Sequence, residues 1–241
     1  MDAENPPSSV LYSLTVTRPH RCPYLPNRTA RDAAVSFSRL DPVQYELLMN
    51  FGYRRSGDIV YRPECRGCRE CVPIRVPVDR FSPSRSQRRV LRRNEDVTWS
   101  VGAPEPTEEK WLLYDRYLSS QHDGTMSSDP LSFECFLYDS PTTTLEFVYR
   151  IADQIVGVGI VDSTPRCLSS VYFYFDPDQS HRSLGIFSSL IEIETCRKLG
   201  RPWWYAGFYV QDCRKMNYKA QFQPYELLGP DFNWRPAAPR P

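Results

Sequence analysis

Three cysteines at CxxCxxC spacing, Cys65, Cys68 and Cys71, are the residues whose type and spacing most clearly suggest chemistry. A tetrahedral site needs a fourth ligand, and Cys22 in an Arg-Cys-Pro-Tyr segment is the natural donor. Four thiolates suit zinc or an iron–sulfur cluster, and such a closed site is structural or redox-active, not a Lewis acid. The alternative is four reduced thiols that only pack, and the sequence leaves both open.

The cysteine triple lies within an arginine-rich segment. Residues 54–93 contain twelve arginines, no lysine and four acidic residues, a net charge of +8 in a chain whose net charge is +1. Guanidinium groups present a fixed fork of donors that suits phosphate. Four of the arginines fall at helical spacing with no acid between them: Arg85, Arg88, Arg89 and Arg92. This pattern predicts a docking surface for nucleic acid, and the alternative is a solvated face that binds nothing.

The composition limits the class of protein. At 241 residues, with 41% apolar and 13% aromatic residues, the chain is long and apolar enough to bury a core. It has no apolar run of transmembrane length, and residues 1–9 lack the apolar stretch of a signal peptide. We therefore expect a cytoplasmic protein that does not bind membranes. The cysteines outside the first group are expected to be core thiols: Cys135, Cys167, Cys196 and Cys213.

Two short helices are predicted in the first half of the chain. Asp41 and Pro42 supply an N-cap and a first helical residue, and Gly52 ends this helix. Thr107 opens a second helix. The apolar positions of the second helix are Trp111, Leu112, Tyr114 and Leu118.

The second half of the chain predicts strands around one helix. Residues 145–175 are β-branched and aromatic with short polar breaks, which is typical of consecutive antiparallel strands. Ser183 can cap a helix that runs to about Leu199, and residues 203–210 form another strand. This order predicts an α+β fold with a mixed sheet, compatible with an N-acyltransferase.

The chain is expected to divide into two regions. Residues 1–100 form the Cys- and Arg-rich part, and residues 101–241 contain the mixed sheet. The low-complexity ends, residues 1–9 and 236–241, are expected to be mobile.

Two short segments are candidate parts of a site. Ser183, Leu184 and Gly185 open the late helix, where free backbone N–H groups can hold a phosphate or a carbonyl oxygen. The segment from Lys215 to Lys219 contains two of the four lysines and follows a predicted strand. It predicts a pocket wall, with a solvated edge strand as the alternative.

Several blocks of this sequence occur together and in order in a known family. They are Cys22-Pro23-Tyr24-Leu25-Pro26, Gly52-Tyr53-Arg54-Arg55-Ser56-Gly57, Tyr61-Arg62-Pro63 with the cysteine triple, Val72-Pro73-Ile74-Arg75, Phe81-Ser82-Pro83-Ser84-Arg85-Ser86-Gln87-Arg88-Arg89, Asp176-Pro177 with Ser183-Leu184-Gly185, and Lys215-Met216-Asn217-Tyr218-Lys219. In these blocks the chain resembles the aminoacyl-tRNA–protein transferases. It is most similar to the bacterial aspartate/glutamate leucyltransferases and more distantly to the arginyl-tRNA–protein transferases. A departure is Ala206-Gly207-Phe208, where we expect a Leu-Gly-Tyr-like strand in relatives.

The resemblance implies an activity and a fold. In the family an aminoacyl group moves from its tRNA ester to the α-amino group of an N-terminal Asp or Glu, and this marks the acceptor protein for degradation. The C-terminal region is expected to have a GNAT-like fold. The partners are then aminoacyl-tRNA and proteins that begin with Asp or Glu. The chemistry itself requires no cofactor, because aminolysis of an activated ester needs mainly positioning and polarisation.

Roles for individual residues follow from these sequence features together with the resemblance. The backbone N–H groups of Ser183, Leu184 or Gly185 would lie near the developing oxyanion. Tyr218 would donate a proton to the leaving ribose oxygen. The cations expected to pair with the acceptor's carboxylate are Lys219 first and Lys215 second, with Arg54 and Arg55 beside them. Arg85, Arg88 and Arg89 would bind tRNA phosphates.

Three other functions compete with leucyl transfer. Arginine could be the donated residue, with the same acceptors. A non-catalytic, zinc-ribbon-like nucleic-acid adaptor would use the cysteines and arginines but would leave the second half of the chain unexplained. A small-molecule N-acetyltransferase is disfavoured, because the opening of the late helix offers only one glycine for a pyrophosphate loop. The sequence leaves the oligomeric state open.

Overall fold

The computed structural model describes residues 13–121 and 126–237. The predicted mobile end at residues 1–9 and most of that at residues 236–241 lie outside these ranges. The helices are α1 (Pro42–Asn50), α2 (Arg85–Arg93), α3 (Glu108–Gln121), α4 (Pro130–Leu137), α5 (Leu184–Lys198) and α6 (Arg214–Asn217), with 3₁₀ turns at Pro177–Arg182 and Tyr218–Gln221. The strands are β1 (Thr15–Val16), β2 (His20–Arg21), β3 (Thr29–Ala30), β4 (Asp32–Ser36), β5 (Arg54–Ser56), β6 (Ile59–Pro63), β7 (Val72–Pro77), β8 (Val97–Gly102), β9 (Thr144–Ile151), β10 (Gln154–Ser163), β11 (Cys167–Phe175), β12 (Trp203–Tyr209), β13 (Glu226–Leu228) and β14 (Trp234–Pro236).

The main sheet of the described residues has eight strands in the order β14-β13-β7-β12-β11-β10-β9-β8. Its neighbours are antiparallel except β11 and β12, which run parallel. The parallel pairing ends where Ser169 lies opposite Tyr205, and the two strands then continue apart to Phe175 and Tyr209. Helix α5 packs on both strands. The predicted α+β fold with a mixed, GNAT-like sheet is confirmed.

One strand of the main sheet comes from the Cys- and Arg-rich region. Strand β7 lies between β12 and β13 and is antiparallel to both. The predicted division into residues 1–100 and 101–241 stays a prediction, but this strand crosses it. A smaller sheet in the order β1-β4-β6-β5 and the β2-β3 pair complete the N-terminal part of the described chain.

Local signals explain where the helices begin. Asp41 caps α1 by accepting hydrogen bonds from the N–H groups of Val43 and Gln44, as predicted. Helix α2 starts with a capping box, in which the Ser84 hydroxyl accepts from the Gln87 N–H and the Gln87 amide oxygen accepts from the Ser84 N–H. Because this box turns Gln87 inward, the arginines of α2 face outward.

The start of α5 differs from the prediction. Ser183 is the N-cap residue, but it has φ of +58° and its side chain makes no capping hydrogen bond. This left-handed conformation is uncommon for a residue other than glycine, and it redirects the chain from the 3₁₀ turn into the helix.

Helix α3 begins as predicted, but not all of its apolar positions face inward. Leu112 is 48% exposed, whereas its neighbour Leu113 is 4% exposed and packs with Tyr114 and Leu118. No helix described in residues 13–121 or 126–237 is long and apolar enough to cross a membrane.

Candidate active site

The centre of the candidate site is the gap that opens between β11 and β12 where their parallel pairing ends, here called the strand gap. Strand β12 carries a bulge between Tyr205 and Gly207, immediately after the last parallel pair, and Gly207 has φ of +88°. A Cβ atom at Gly207 would lie 3.4 Å from the ammonium nitrogen of Lys219. A side chain here would be strained and would crowd the lysine, so glycine allows Lys219 to approach the strand.

Lys219 is half-buried at the 3₁₀ turn and contacts β12. Its ammonium donates a hydrogen bond to the Phe208 carbonyl at 2.8 Å and lies 3.8 Å from the Met216 sulfur. It has no carboxylate partner in the described part of the chain. Burial, followed by the positive charge of Arg54, lowers the pKa of Lys219 to about 7. The structure therefore holds a desolvated cation beside the strand gap.

Arg54 lies beside this lysine but is inaccessible. It is 4% exposed and donates hydrogen bonds to the carbonyl oxygens of Met49 and Tyr53. Its guanidinium carbon lies 5.3 Å from the Tyr205 ring and 5.6 Å from the Phe208 ring. The remaining nitrogens, Nε and Nη2, find no partner among the described residues. Arg54 thus adds positive potential to the Lys219 environment without reaching a surface-bound substrate.

The predicted substrate role of Arg55 is wrong in this structure. Its guanidinium forms a salt bridge with Asp162 at 2.9 Å, and both side chains are fully buried. Asp162 also accepts from the Thr144 hydroxyl at 2.9 Å, and Arg55 donates to the Gly57 carbonyl. This pair joins β5 to β10. Its role is structural, because a fully buried guanidinium that is already paired with Asp162 is not accessible to another carboxylate.

Tyr218 and Lys215 occupy the same segment as Lys219 but differ in exposure. Tyr218 is 41% exposed, yet desolvation of its phenol, followed by the charge of Glu192, raises the pKa of Tyr218 to about 12. Its hydroxyl makes no hydrogen bond to a described residue, so it is available to a ligand. Lys215 is exposed, on α6.

The first turn of α5 offers free N–H groups. Those of Ile186 and Phe187 both donate to the Ser183 carbonyl. The Ser183 N–H, which was also predicted to be free, donates to the Ser180 carbonyl instead, at 3.3 Å. Those of Leu184 and Gly185 donate to no group in the described residues, as expected at a helix start. Gly185 faces the Phe173 ring, since a Cβ there would lie 3.7 Å from it. No described contact joins this turn to Tyr218 or Lys219.

Helix α2 connects the two parts of the site. Gln87 donates a hydrogen bond to the Gln221 carbonyl of the 3₁₀ turn at 3.3 Å. At the other end, Arg93 donates to the His181 carbonyl at 2.5 Å, and Asn94 donates to the Arg182 carbonyl at 3.0 Å. The helix therefore runs from the lysine segment to the start of α5.

The outward face of α2 carries the predicted arginine cluster. All four side chains are exposed: Arg85, Arg88, Arg89 and Arg92. Arg88 donates to the Pro83 carbonyl, and none of the four forms an ion pair within the described residues. An uncompensated run of guanidinium groups favours a polyanionic ligand.

The four N-terminal cysteines line one cavity of about 340 Å³. Burial first, and then the proximity of the other three thiols, raises the pKa of Cys71 to about 12. Cys22, Cys71 and Met216 all pack against the same small buried cluster of Leu25, Val210 and Cys213. The cysteine cavity and the segment that carries Lys219 therefore share one hydrophobic cluster.

The donor chemistry of this cavity suits zinc or an iron–sulfur cluster, because four thiols are the ligands that these groups prefer. As they stand, no three His, Cys, Asp or Glu side chains of the described residues are arranged to hold a metal ion. A metal would have to draw the thiols together. Of the other cysteines, Cys167, Cys196 and Cys213 are buried as predicted, whereas Cys135 is exposed, which corrects its assignment to the core.

Sequence reasoning missed Glu192, a buried carboxyl on α5 that contacts Trp204 of β12. It accepts hydrogen bonds from the Trp204 indole at 2.8 Å and the Ser188 hydroxyl at 2.9 Å. Burial raises its pKa to about 7, although these donors favour the charged form. The sequence signal was present: a glutamate within a helix whose neighbours, Ile191 and Ile193, are core residues.

Comparison with known proteins identifies the family of the chain. The model of the arginine-tRNA-protein transferase N terminus matches residues 20–89, and that of the C terminus matches residues 109–229. An aspartate/glutamate leucyltransferase of Pseudomonas fluorescens is 40% identical over 217 residues, covering 88% of this chain and 92% of the relative. One of Teredinibacter turnerae is 40% identical over 219 residues, covering 89% and 90%.

A solved structure shares the fold. The C-terminal domain of a presumed lysylphosphatidylglycerol synthetase from Agrobacterium fabrum superposes with a TM-score of 0.50 at 15% identity, covering 85% of this chain and 66% of that one. The two family models and the extent of the sequence identity together decide the assignment. The chain is an aminoacyltransferase that belongs to the arginine-tRNA-protein transferase family, within its group of aspartate/glutamate leucyltransferases.

Proposed function

We propose that this enzyme transfers leucine from leucyl-tRNA to the α-amino group of proteins that begin with Asp or Glu. The relatives' activity and the exposed arginines of α2 support the donor. The preference for an acidic acceptor is supported by Lys219, a desolvated ammonium at the strand gap without a carboxylate partner among the described residues. We place the reaction in the cytoplasm.

Lys219 would bind the carboxylate of the acceptor's first residue. A charged hydrogen bond in a partly desolvated site contributes about 1.5–3 kcal/mol, which is about 10- to 150-fold in selectivity. Arg54 would assist only through its field, because it is buried behind Phe208. Lys215, exposed on α6, is the second candidate, and a role at the rim of the site suits it better.

The reaction is aminolysis of an ester. The neutral α-amine attacks the carbonyl carbon of the leucyl ester, the carbon–oxygen bond to the ribose breaks, and an amide forms. The amine loses one proton overall, and the ribose oxygen gains one. Tyr218 is the proposed donor to that oxygen, since its hydroxyl is otherwise unpaired. The free N–H groups at Leu184 and Gly185 are the proposed stabilisers of the oxyanion or a nearby phosphate.

The four N-terminal cysteines are proposed to hold zinc or an iron–sulfur cluster with a structural role. Such a group would fix the cavity that packs against Met216 and Cys213, and so would position the segment that carries Lys219. No step of the acyl transfer requires it.

A transfer assay with matched donors and acceptors tests the proposed function. Labelled leucyl-tRNA and arginyl-tRNA are each presented with peptides that differ only in a first residue of Asp, Glu, Asn or Gln. We expect transfer of leucine to the Asp and Glu peptides only. Transfer of arginine instead would establish the arginyl alternative, and tRNA binding without any transfer would establish the adaptor.

A further inference from the structure

Trp99 is an exposed aromatic residue that the site described above does not use. It lies on β8, the edge strand of the main sheet, and is 44% exposed. Across the sheet, Trp99 pairs with Tyr149, Tyr149 with Gly157, and Gly157 with Phe175. Phe175 is the last residue of β11, so Trp99 lies at the end of the sheet where the chain turns towards α5.

The indole is on the face of the sheet that α5 covers. Its ring centroid is 6.1 Å from that of Phe187, at an interplanar angle of 84°. Phe187 belongs to the first turn of α5, and its N–H donates to the Ser183 carbonyl. Val97, on the same face of β8, is buried in the core beneath α5. The exposed indole is therefore held within one helical turn of the free N–H groups at Leu184 and Gly185.

Trp99 also follows the arginine cluster closely along the chain. Only three residues, 94–96, separate the end of α2 at Arg93 from the start of β8 at Val97. Of the two acids in this turn, Asp96 is neutralised by a bidentate pair with Arg182, at 2.8 and 2.9 Å. Exposed guanidinium groups that favour phosphate are thus followed, after one short turn, by an exposed aromatic ring that favours a base.

We propose that Trp99 stacks an unpaired nucleobase at the 3′ end of the aminoacyl-tRNA. This inference rests on the proposed function, because the aminoacyl ester is carried by the 3′-terminal ribose. A tRNA whose backbone lies along α2 and whose ester enters the strand gap must lead its single-stranded end past the start of α5. Single-stranded ends are recognised by stacking on aromatic side chains, which every base can do.

A second copy of the chain is the competing occupant, because an edge strand with exposed Trp99 and Val101 could pair with another edge. The positive charge of α2 argues against it, since two such surfaces would repel each other.

Binding of two tRNAs to three variants tests the proposal. One tRNA is complete, and the other lacks its unpaired 3′-terminal nucleotides. Trp99→Ala should weaken binding of the complete tRNA about 10-fold, leave binding of the shortened tRNA unchanged, and keep the salt dependence of both. Trp99→Phe should retain most of the affinity, and Val101→Ala, on the same face of the same strand, is the matched control.

Tryptophan fluorescence supplies an independent readout if Trp99→Ala unfolds. Addition of complete tRNA should quench the tryptophan fluorescence of the wild type more than the fluorescence of Trp99→Phe. The difference should equal the fluorescence of one tryptophan. Equal quenching, or equal affinity of both tRNAs for wild type and Trp99→Ala, overturns the stacking role. Trp99→Ala could instead change the sedimentation velocity of the free protein and leave its affinity for tRNA unchanged. That result would assign Trp99 to contact with a second copy of the chain and would also overturn the stacking role. Failure of the proposed function looks different: wild type itself would transfer no leucine.

Discussion

Lys219 and Arg54 both contact Phe208, Lys219 through its backbone carbonyl and Arg54 through its ring. The Lys219 ammonium donates to the Phe208 carbonyl at 2.8 Å, and the Arg54 guanidinium carbon lies 5.6 Å from the Phe208 ring centroid. The two cations are close enough that Arg54 helps to lower the pKa of Lys219. A buried and a half-buried positive charge without an acid between them destabilise one another, and an incoming carboxylate relieves this repulsion.

The preference for an acidic acceptor should depend on pH through Lys219. With a pKa of about 7 in the free enzyme, Lys219 is charged below that pH and largely neutral above it. We expect the ratio of kcat/KM for Asp and Asn peptides to be constant just below pH 7. Above pH 7 it should fall by up to about tenfold per pH unit, because binding then requires uptake of a proton.

Variants of the two lysines separate this role from tRNA binding. Lys219→Met keeps the apolar stem and should lower the Asp-to-Asn ratio about 10- to 150-fold and remove its pH dependence. Lys215→Met tests the second candidate, and it should lower this ratio far less because Lys215 is exposed. Weaker tRNA binding in Lys219→Met with an unchanged Asp-to-Asn ratio would assign the lysine to the tRNA surface instead.

Tyr218→Phe should reduce kcat and leave KM for both substrates nearly unchanged. Loss of a proton donor to the leaving ribose oxygen lowers kcat about 10²-fold in a typical general acid–base site. The phenyl ring preserves the packing of Tyr218, so thermal stability should not change. Single-turnover transfer from charged tRNA is the measurement, and an unchanged rate would remove Tyr218 from the chemistry.

The arginines of α2 should act on affinity and on its salt dependence together. Arg88→Ala with Arg89→Ala removes two exposed cations and should lower the slope of log affinity against log salt by about two. Arg18→Ala with Arg166→Ala removes the same charge from exposed positions outside α2. If both double variants change the slope equally, the effect comes from net charge and not from a docking surface.

Cys68→Ser tests the proposed metal group. Metal content measured by mass spectrometry and the midpoint of thermal unfolding should fall together, because binding energy of a structural metal is folding energy. Cys135→Ser is the control, since this thiol is exposed and lies on α4. Protein that transfers leucine, contains neither zinc nor iron, and has all four N-terminal thiols reactive would rule out the metal.

Glu192 should make the protein less stable as pH rises. Its folded-state pKa of about 7 exceeds the ordinary value of 4.5, so the folded state binds the extra proton. The free energy of unfolding should therefore fall by about 3 kcal/mol between pH 4.5 and 7 from this group alone. Glu192→Gln should remove this component, and Glu194→Gln, on the exposed face of the same helix, should not. Equal pH profiles for wild type and Glu192→Gln would contradict the assignment.

Much of the fold follows from local signals in the sequence. Asp41 with Pro42, the β-branched run of β9 to β11, and the arginine spacing of α2 each specify a local structure that tertiary packing leaves in place. Leu112 and Leu113 show the limit of this reasoning. Neighbouring apolar residues fit the same helical pattern, and only packing against α4 and β10 decides which one is buried.

The site was harder to predict, because its residues are defined by distant partners. Arg54 and Arg55 are adjacent in sequence and both buried, but Arg55 meets Asp162, 107 residues away, while Arg54 meets no acid. Gly207 matters because Lys219 approaches it. The local sequence predicts neither of these contacts. The importance of the segment from Lys215 to Lys219, in contrast, could be predicted from its two lysines.

The position of β7 has a consequence for synthesis of the chain. This strand needs β12 and β13 as neighbours, and both are translated more than 120 residues after it. Until they leave the ribosome, the edges of β7 remain unpaired beside the cysteine triple. The nascent N-terminal region therefore cannot complete its fold early, and a chain interrupted before β12 should be recognised by chaperones and proteases as unfinished.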